Sequence, residues 1–206
     1  MIVLVRELRA CLVAAVALAV GATLLFSGVA VGEDAPPPIA PPATLVAGDK
    51  APHFALKTLN PDECGVQMYS TKSHFGADAR QPARAIIISF LSLHCKPCMK
   101  ELPDLDAWFL AHQGQGVELL GIDIDQETEE VEAVRALAVE KKLKFPVMSD
   151  RFNLLARRYK VGELPYLLVV DGTGTVVWVK TGYESGTLEA LDAAVGPLLV
   201  PTGEGQ

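Results

Sequence analysis

The sequence predicts an α/β fold with a central mixed sheet. Two short β-branched runs, Ala85 to Leu91 and Val117 to Ile124, are each followed by a segment with helical apolar spacing, as in strands covered on both faces. A turn signal, Asp171-Gly172-Thr173-Gly174, separates two further β-rich runs and predicts antiparallel neighbours. A chain of 206 residues has room for one such domain and a short appendage.

The first run, Ala85-Ile86-Ile87-Ile88-Ser89-Phe90-Leu91, lies between Pro82 and a polar turn, which suits a doubly covered strand. From Lys96 to about Gln113 the residues Leu102, Leu105, Trp108 and Phe109 recur at helical steps, so a helix with one buried face is expected, kinked at Pro103. Gly114-Gln115-Gly116 breaks the chain before the second strand. Glu127, Glu129, Glu130 and Glu132 then open a helix that Lys141, Lys142 and Lys144 close, the order a helix dipole favours. Phe145 to Met148 reads as a short edge segment, and Arg151 to Tyr159 as a short helix leading to a loop with Gly162 and Pro165. Tyr166 to Val170 and Thr175 to Lys180 form the hairpin, and Leu188, Leu191, Val195 and Leu198 mark a final amphipathic helix. The principal order is β-α-β-α-β-β-α.

Ahead of this body, Arg6 and Arg9 precede a stretch from Ala10 to Val31 without a charge. Residues 1–32 read as a secretory signal, with Ala30 and Gly32 suited to cleavage before Glu33, or as an uncleaved membrane anchor. Either places the body outside the cytoplasm. Cys11 opens the apolar stretch instead of closing a lipobox, which speaks against a lipid-modified terminus. Residues 33–47, with Pro36-Pro37-Pro38 and Pro41-Pro42, read as a tether, residues 48–200 as the domain and 201–206 as a disordered tail. Half the residues are hydrophobic and 21% are charged, enough for a core, so the disordered class is excluded. A net charge of −7 without a Lys/Arg block leaves no footprint for nucleic acid.

Four cysteines are too few for a disulfide-stapled scaffold, so their placement carries the information. Cys95 and Cys98 stand at the junction from strand to helix. There the free N–H groups and dipole of the helix, with Lys96 beside them, favour a thiolate at Cys95, the expected nucleophile. Cys98, inside the helix, can resolve a mixed disulfide, and Pro97 stiffens the turn where its missing N–H costs little. Zinc wants four ligands, and beyond this pair there are only Cys64 and the scattered His53, His74, His94 and His112. An inert staple is the other alternative, although so short a loop removes little chain entropy. Cys64 has no partner in sequence and reads as an idle free cysteine.

The strand Ala85 to Leu91, the motif His94-Cys95-Lys96-Pro97-Cys98 and the later Glu163-Leu164-Pro165 resemble the thioredoxin-like fold, a three-layer sandwich around a mixed sheet. Gly48-Asp49-Lys50-Ala51-Pro52-His53-Phe54-Ala55-Leu56 and Cys98-Met99-Lys100-Glu101-Leu102-Pro103 resemble, more narrowly, the TlpA/ResA-like extracytoplasmic thiol–disulfide oxidoreductases, which add an N-terminal β-hairpin. The resemblance spans about residues 48–198. It implies that Pro165 is a cis-proline facing the disulfide, that Leu164 offers its backbone to an extended substrate, and that Glu101 moves protons for the buried thiol. Read alone, Pro165 is a loop proline, and Glu101 is a helix glutamate that titrates usefully only if buried. His94 departs from the family's usual Trp and brings a titratable ring beside the nucleophile, where it would tune the thiolate. Ser89 stands where thioredoxins proper carry a buried acid, which leaves Glu101 as the better proton acceptor. Asp123 and Asp125 alternate at a strand end and read as solvated, with no site assigned.

The expected protein is therefore an exported or membrane-tethered oxidoreductase that exchanges disulfides with protein clients through Cys95 and Cys98. It requires no organic cofactor and no metal. The resemblance favours reduction, cytochrome c maturation as a client process, and electrons from a membrane donor. Two rivals stand beside it. One is a copper-binding module with His94, Cys95 and Cys98 as ligands to Cu(I). The other is a thiol peroxidase, whose family shares the Ala51-Pro52-x-Phe54 opening.

Overall fold

Strand β3 (Ala85–Leu91) is buried over its whole length, which is why its sequence shows no polar alternation. In the computed structural model, which describes residues 44–200, β3 is the middle of a five-stranded sheet. The expectations for residues 1–43 and 201–206, the signal or anchor, most of the tether and the tail, lie outside the described residues. Helix α2 (Lys96–His112), strand β4 (Val117–Asp123), helix α3 (Thr128–Glu140) and strand β5 (Val147–Ser149) follow β3. Then come helix α4 (Leu154–Arg158), strands β6 (Tyr166–Asp171) and β7 (Val176–Thr181), and helix α5 (Thr187–Leu199). The sheet order is β5-β4-β3-β6-β7. β3 pairs parallel with β4, Ile88 opposite Leu120, and antiparallel with β6, Ser89 opposite Leu167. This mixed sheet is the expected architecture, and its edge segment is a true strand, parallel to β4.

Alternate residues of β3 serve two cores. Ala85, Ile87 and Leu91 pack with Leu102 and Leu105 of α2, Val134 of α3 and Leu191 of α5. Ile86, Ile88 and Phe90 pack on the other face with Tyr69, Phe75, Leu155 and Tyr159. Each such side chain contributes on the order of 1.5–3 kcal/mol by leaving water. The turn between β6 and β7 needs glycine in a definite place. Gly174 has φ +80°, and a Cβ there would lie 2.7 Å from the Phe75 ring.

An N-terminal extension covers the second face. Strands β1 (Ala55–Lys57) and β2 (Met68–Ser70) pair antiparallel, with a one-turn helix, α1 (Pro61–Cys64), in their connection. Asn60 binds this extension to the sheet edge. Its buried amide donates to the carbonyls of Leu143 and Phe145 and accepts from the Val147 N–H.

Three expectations need correction. Leu45 is buried in the second core, so the domain begins inside the segment read as tether, because an apolar side chain there finds a packing site. Lys141, Lys142 and Lys144 follow α3 instead of filling its last turn, since Lys142 takes a left-handed conformation, φ +53°, that ends the helix. The helix expected from Arg151 is shortened to α4 because Asn153 turns the chain with φ +52°. Among the described residues no helix is long and apolar enough to cross a membrane.

Candidate active site

β3 delivers the chain to Cys95, which is the N-cap of α2 with extended backbone angles. Its sulfur accepts a hydrogen bond from the Cys98 N–H at 3.2 Å, the contact of a capping side chain with the free donors of a first helical turn. Cys95 and Cys98 are disulfide-bonded, with Cα atoms 5.2 Å apart. Cys95 is half-buried, Lys96 and Pro97 are exposed, and Cys98 is fully buried. Pro97 occupies the first turn, where no intrahelical donor is lost. The dithiol thus has one sulfur toward solvent and one toward the core. Helix α2 runs on through Pro103 as a single element.

Glu101 lies one turn after Cys98 on the inward face of α2 and is only 1% exposed. Among the described residues its one hydrogen bond comes from the Ser89 hydroxyl, which donates to Oε2 at 3.1 Å, while Oε1 is buried without a partner there. Burial pushes its pKa up to about 7, the Ser89 bond opposes the rise, and the charge of Asp104 adds to it. Asp104 itself accepts from the hydroxyl of Tyr183, in the loop between β7 and α5.

Leu164 and Pro165 precede β6, whose first residue Tyr166 pairs with Phe90 near the end of β3, so they stand at the same end of the sheet as Cys95. The Leu164–Pro165 peptide is cis. The Pro165 carbonyl accepts from the Gly182 N–H at 2.9 Å, and Leu164 packs on the same core as Cys95 and Met99. His94, directly before Cys95, turns its ring to helix α3. Its exposed ring bonds Glu130 of α3 through Nε2 at 2.7 Å, and that pairing raises its pKa. Considered as copper ligands, the two sulfurs are joined to each other and the His94 ring is engaged by Glu130. Among the described residues no cluster of three or more His, Cys, Asp or Glu is arranged to hold a metal ion. Cys64 stands apart in α1, without a disulfide partner among the described residues and with its pKa raised by burial.

Residues that sequence reasoning passed over complete the surroundings. Asp123 and Asp125, read as solvated, are both buried. The Asp125 carboxylate accepts from the Ser92 hydroxyl and from the Leu93 N–H, each at 2.6 Å, and so holds the turn that leads into Cys95. Within that turn Ser92 Oγ accepts from the His94 N–H, and the Ser92 carbonyl accepts from the Cys95 N–H. Asp123 Oδ1 accepts from the Asp125 N–H at 3.1 Å, and burial pushes its pKa up to about 8. The only signal in the sequence was the alternation of acids at the end of the strand beside the motif strand.

Fold and site together define a thioredoxin-like thiol–disulfide oxidoreductase. The chain belongs to the AhpC/TSA family, which it matches over residues 47–179. It is 30% identical over 138 residues to the thiol-disulfide oxidoreductase ResA of Geobacillus thermodenitrificans, covering 67% of this chain and 71% of that protein. It is 23% identical over 145 residues to the sporulation thiol-disulfide oxidoreductase A of Bacillus subtilis, covering 68% of this chain and 80% of that one. The fold is shared with a thiol:disulfide interchange protein of the thioredoxin family from Chlorobium tepidum, TM-score 0.58 at 22% identity, over 76% of this chain and 99% of that chain.

Proposed function

We propose that this enzyme reduces disulfide bonds of client proteins outside the cytoplasm, held at the membrane or exported by residues 1–32. One observation carries the reading. Cys95 caps α2 with its sulfur on the Cys98 N–H, while Cys98 and Glu101 lie buried beneath it. The helix N-terminus stabilises a Cys95 thiolate in the reduced enzyme, with Lys96 next to it in the chain. That thiolate attacks a client sulfur, forming a mixed disulfide and releasing the first client thiolate. Glu101 accepts the Cys98 proton. Cys98 then attacks Cys95 Sγ, closing the Cys95–Cys98 bond and releasing the second client thiolate. Two electrons pass from the dithiol to the client, whose thiolates take up protons.

Leu164, next to the cis-proline Pro165 at the same end of the sheet, offers its backbone to an extended client segment. The resemblance to TlpA/ResA-like enzymes supports reduction as the direction, cytochrome c maturation as the client process and a membrane donor as the electron source. Trapping tests the division of labour. Cys98→Ser, incubated with a disulfide-bonded peptide, should accumulate a mixed disulfide at Cys95, whereas Cys95→Ser should accumulate none. Equal trapping by both variants would overturn it.

A further inference from the structure

Ser89 is the one polar residue in a strand otherwise built of Ala, Ile, Phe and Leu, and it is fully buried. A hydroxyl in that position costs stability unless it is bonded. It lies on the α2 side of the sheet, in step with Ile87 and Leu91, and its register neighbours Gly121 and Leu167 offer no side-chain acceptor. Its side-chain partner is Glu101 Oε2. We infer that Ser89 is a positioning residue that selects Oε1 of Glu101 as the oxygen that exchanges a proton with Cys98.

A hydroxyl facing a carboxylate donates, and the oxygen that receives this bond is the poorer place for a proton. Oε1, buried and without a protein partner, is left to carry it. In the exchange the Cys98 S–H bond breaks and an O–H bond forms at Oε1, with no change in electron count. The same hydrogen bond favours the charged carboxylate, opposing burial and the Asp104 charge, so Ser89 also keeps Glu101 from being locked in its neutral form. The ionisable groups around Glu101 are Cys98 and Asp104 on α2 and Tyr183 from the β7–α5 loop, the last bonded to Asp104 and influenced by Glu189 of α5. β3 faces it with the Ser89 hydroxyl, and among the described residues no Lys or Arg is bonded to it.

The inference rests on the proposed role of Glu101, and the test separates the two. The reduced full-length enzyme is mixed with oxidised glutathione, and closure of the Cys95–Cys98 bond is followed from pH 5 to 9 by acid quench and mass. Ser89→Ala should move the inflection assigned to Glu101 upward by about one pH unit, a tenfold rise in proton affinity. Ser89→Thr, which keeps the hydroxyl, should stay with the parent. Glu101→Gln should lose the inflection, and the double variant should match Glu101→Gln. An unmoved inflection in Ser89→Ala, or a shift that persists without Glu101, overturns the role of Ser89 alone. A parental profile in Glu101→Gln overturns both.

Discussion

Two buried carboxylates flank the turn that carries Cys95, and they are held in opposite ways. Asp125, on the β4 side, has both oxygens engaged by the Ser92 hydroxyl and the Leu93 N–H. Glu101, on the α2 side, has one oxygen engaged by Ser89 and the other buried without a partner. Burial is common to both, so burial alone does not separate architecture from chemistry. Between these two acids the number of partners does. A fully engaged carboxylate fixes a turn, whereas a half-engaged one keeps an oxygen free for a proton and titrates near neutrality.

The largest expected effect comes from the half-engaged acid. Glu101→Gln should slow closure of the dithiol about 100-fold at pH 8, the scale of a lost proton acceptor, with the melting temperature unchanged or raised. Stopped-flow kinetics beside calorimetry checks both. A slow enzyme that is also unstable would place Glu101 with Asp125 as architecture.

The fully engaged acid should show the reverse. Asp125→Ala strands the Leu93 N–H and Ser92, so urea unfolding should show a loss of about 2 kcal/mol, while the pH at which closure half-titrates stays fixed. Asp123 sharpens the contrast through linkage. Burial holds its folded-state pKa near 8, so the cost of ionising it is absent below about pH 4, grows as pH rises and is complete above about 8. Asp123→Asn, which keeps an acceptor for the Asp125 N–H, should therefore stabilise the domain by at least about 1 kcal/mol at pH 8.5 and hardly at all at pH 4. Equal gains at both pH values would remove the titration from the account. The smallest effect belongs to His94→Ala. The His94–Glu130 pair is at the surface, so the change in Cys95 alkylation rate should be slight at low salt and vanish at high salt.

Much of the frame was legible because it follows from local pattern. The unbroken apolar run at Ala85 to Leu91 and the glycine turn after Asp171 announce β3 and the β6–β7 hairpin. The apolar face of α2 was legible too, since Leu102, Leu105 and Trp108 recur at helical steps and are buried, whereas the burial of Glu101 beside them was left open by the sequence. What escaped depends on contacts far apart in sequence. Asp125 is bonded to the distant Ser92–Leu93 turn, and His94 finds Glu130 on another helix. Leu45 and Val46 stand side by side after the proline-rich stretch, and nothing in their pattern told that Leu45 would join the core while Val46 stays exposed. Ser89 looked like a missing acid, and its meaning came from what stands opposite it.

Cys95 and Cys98 work as a reducing, exchangeable couple only if their redox equilibrium lies on the reducing side. The direct measurement equilibrates the protein from Glu33 onward in graded thiol–disulfide buffers, traps free thiols by alkylation and reads the Cys95–Cys98 pair by mass. The expected result is a reversible two-electron couple more reducing than about −200 mV. A couple near about −120 mV would make the enzyme an oxidant, and a pair that never exchanges would rule out dithiol chemistry at this site altogether.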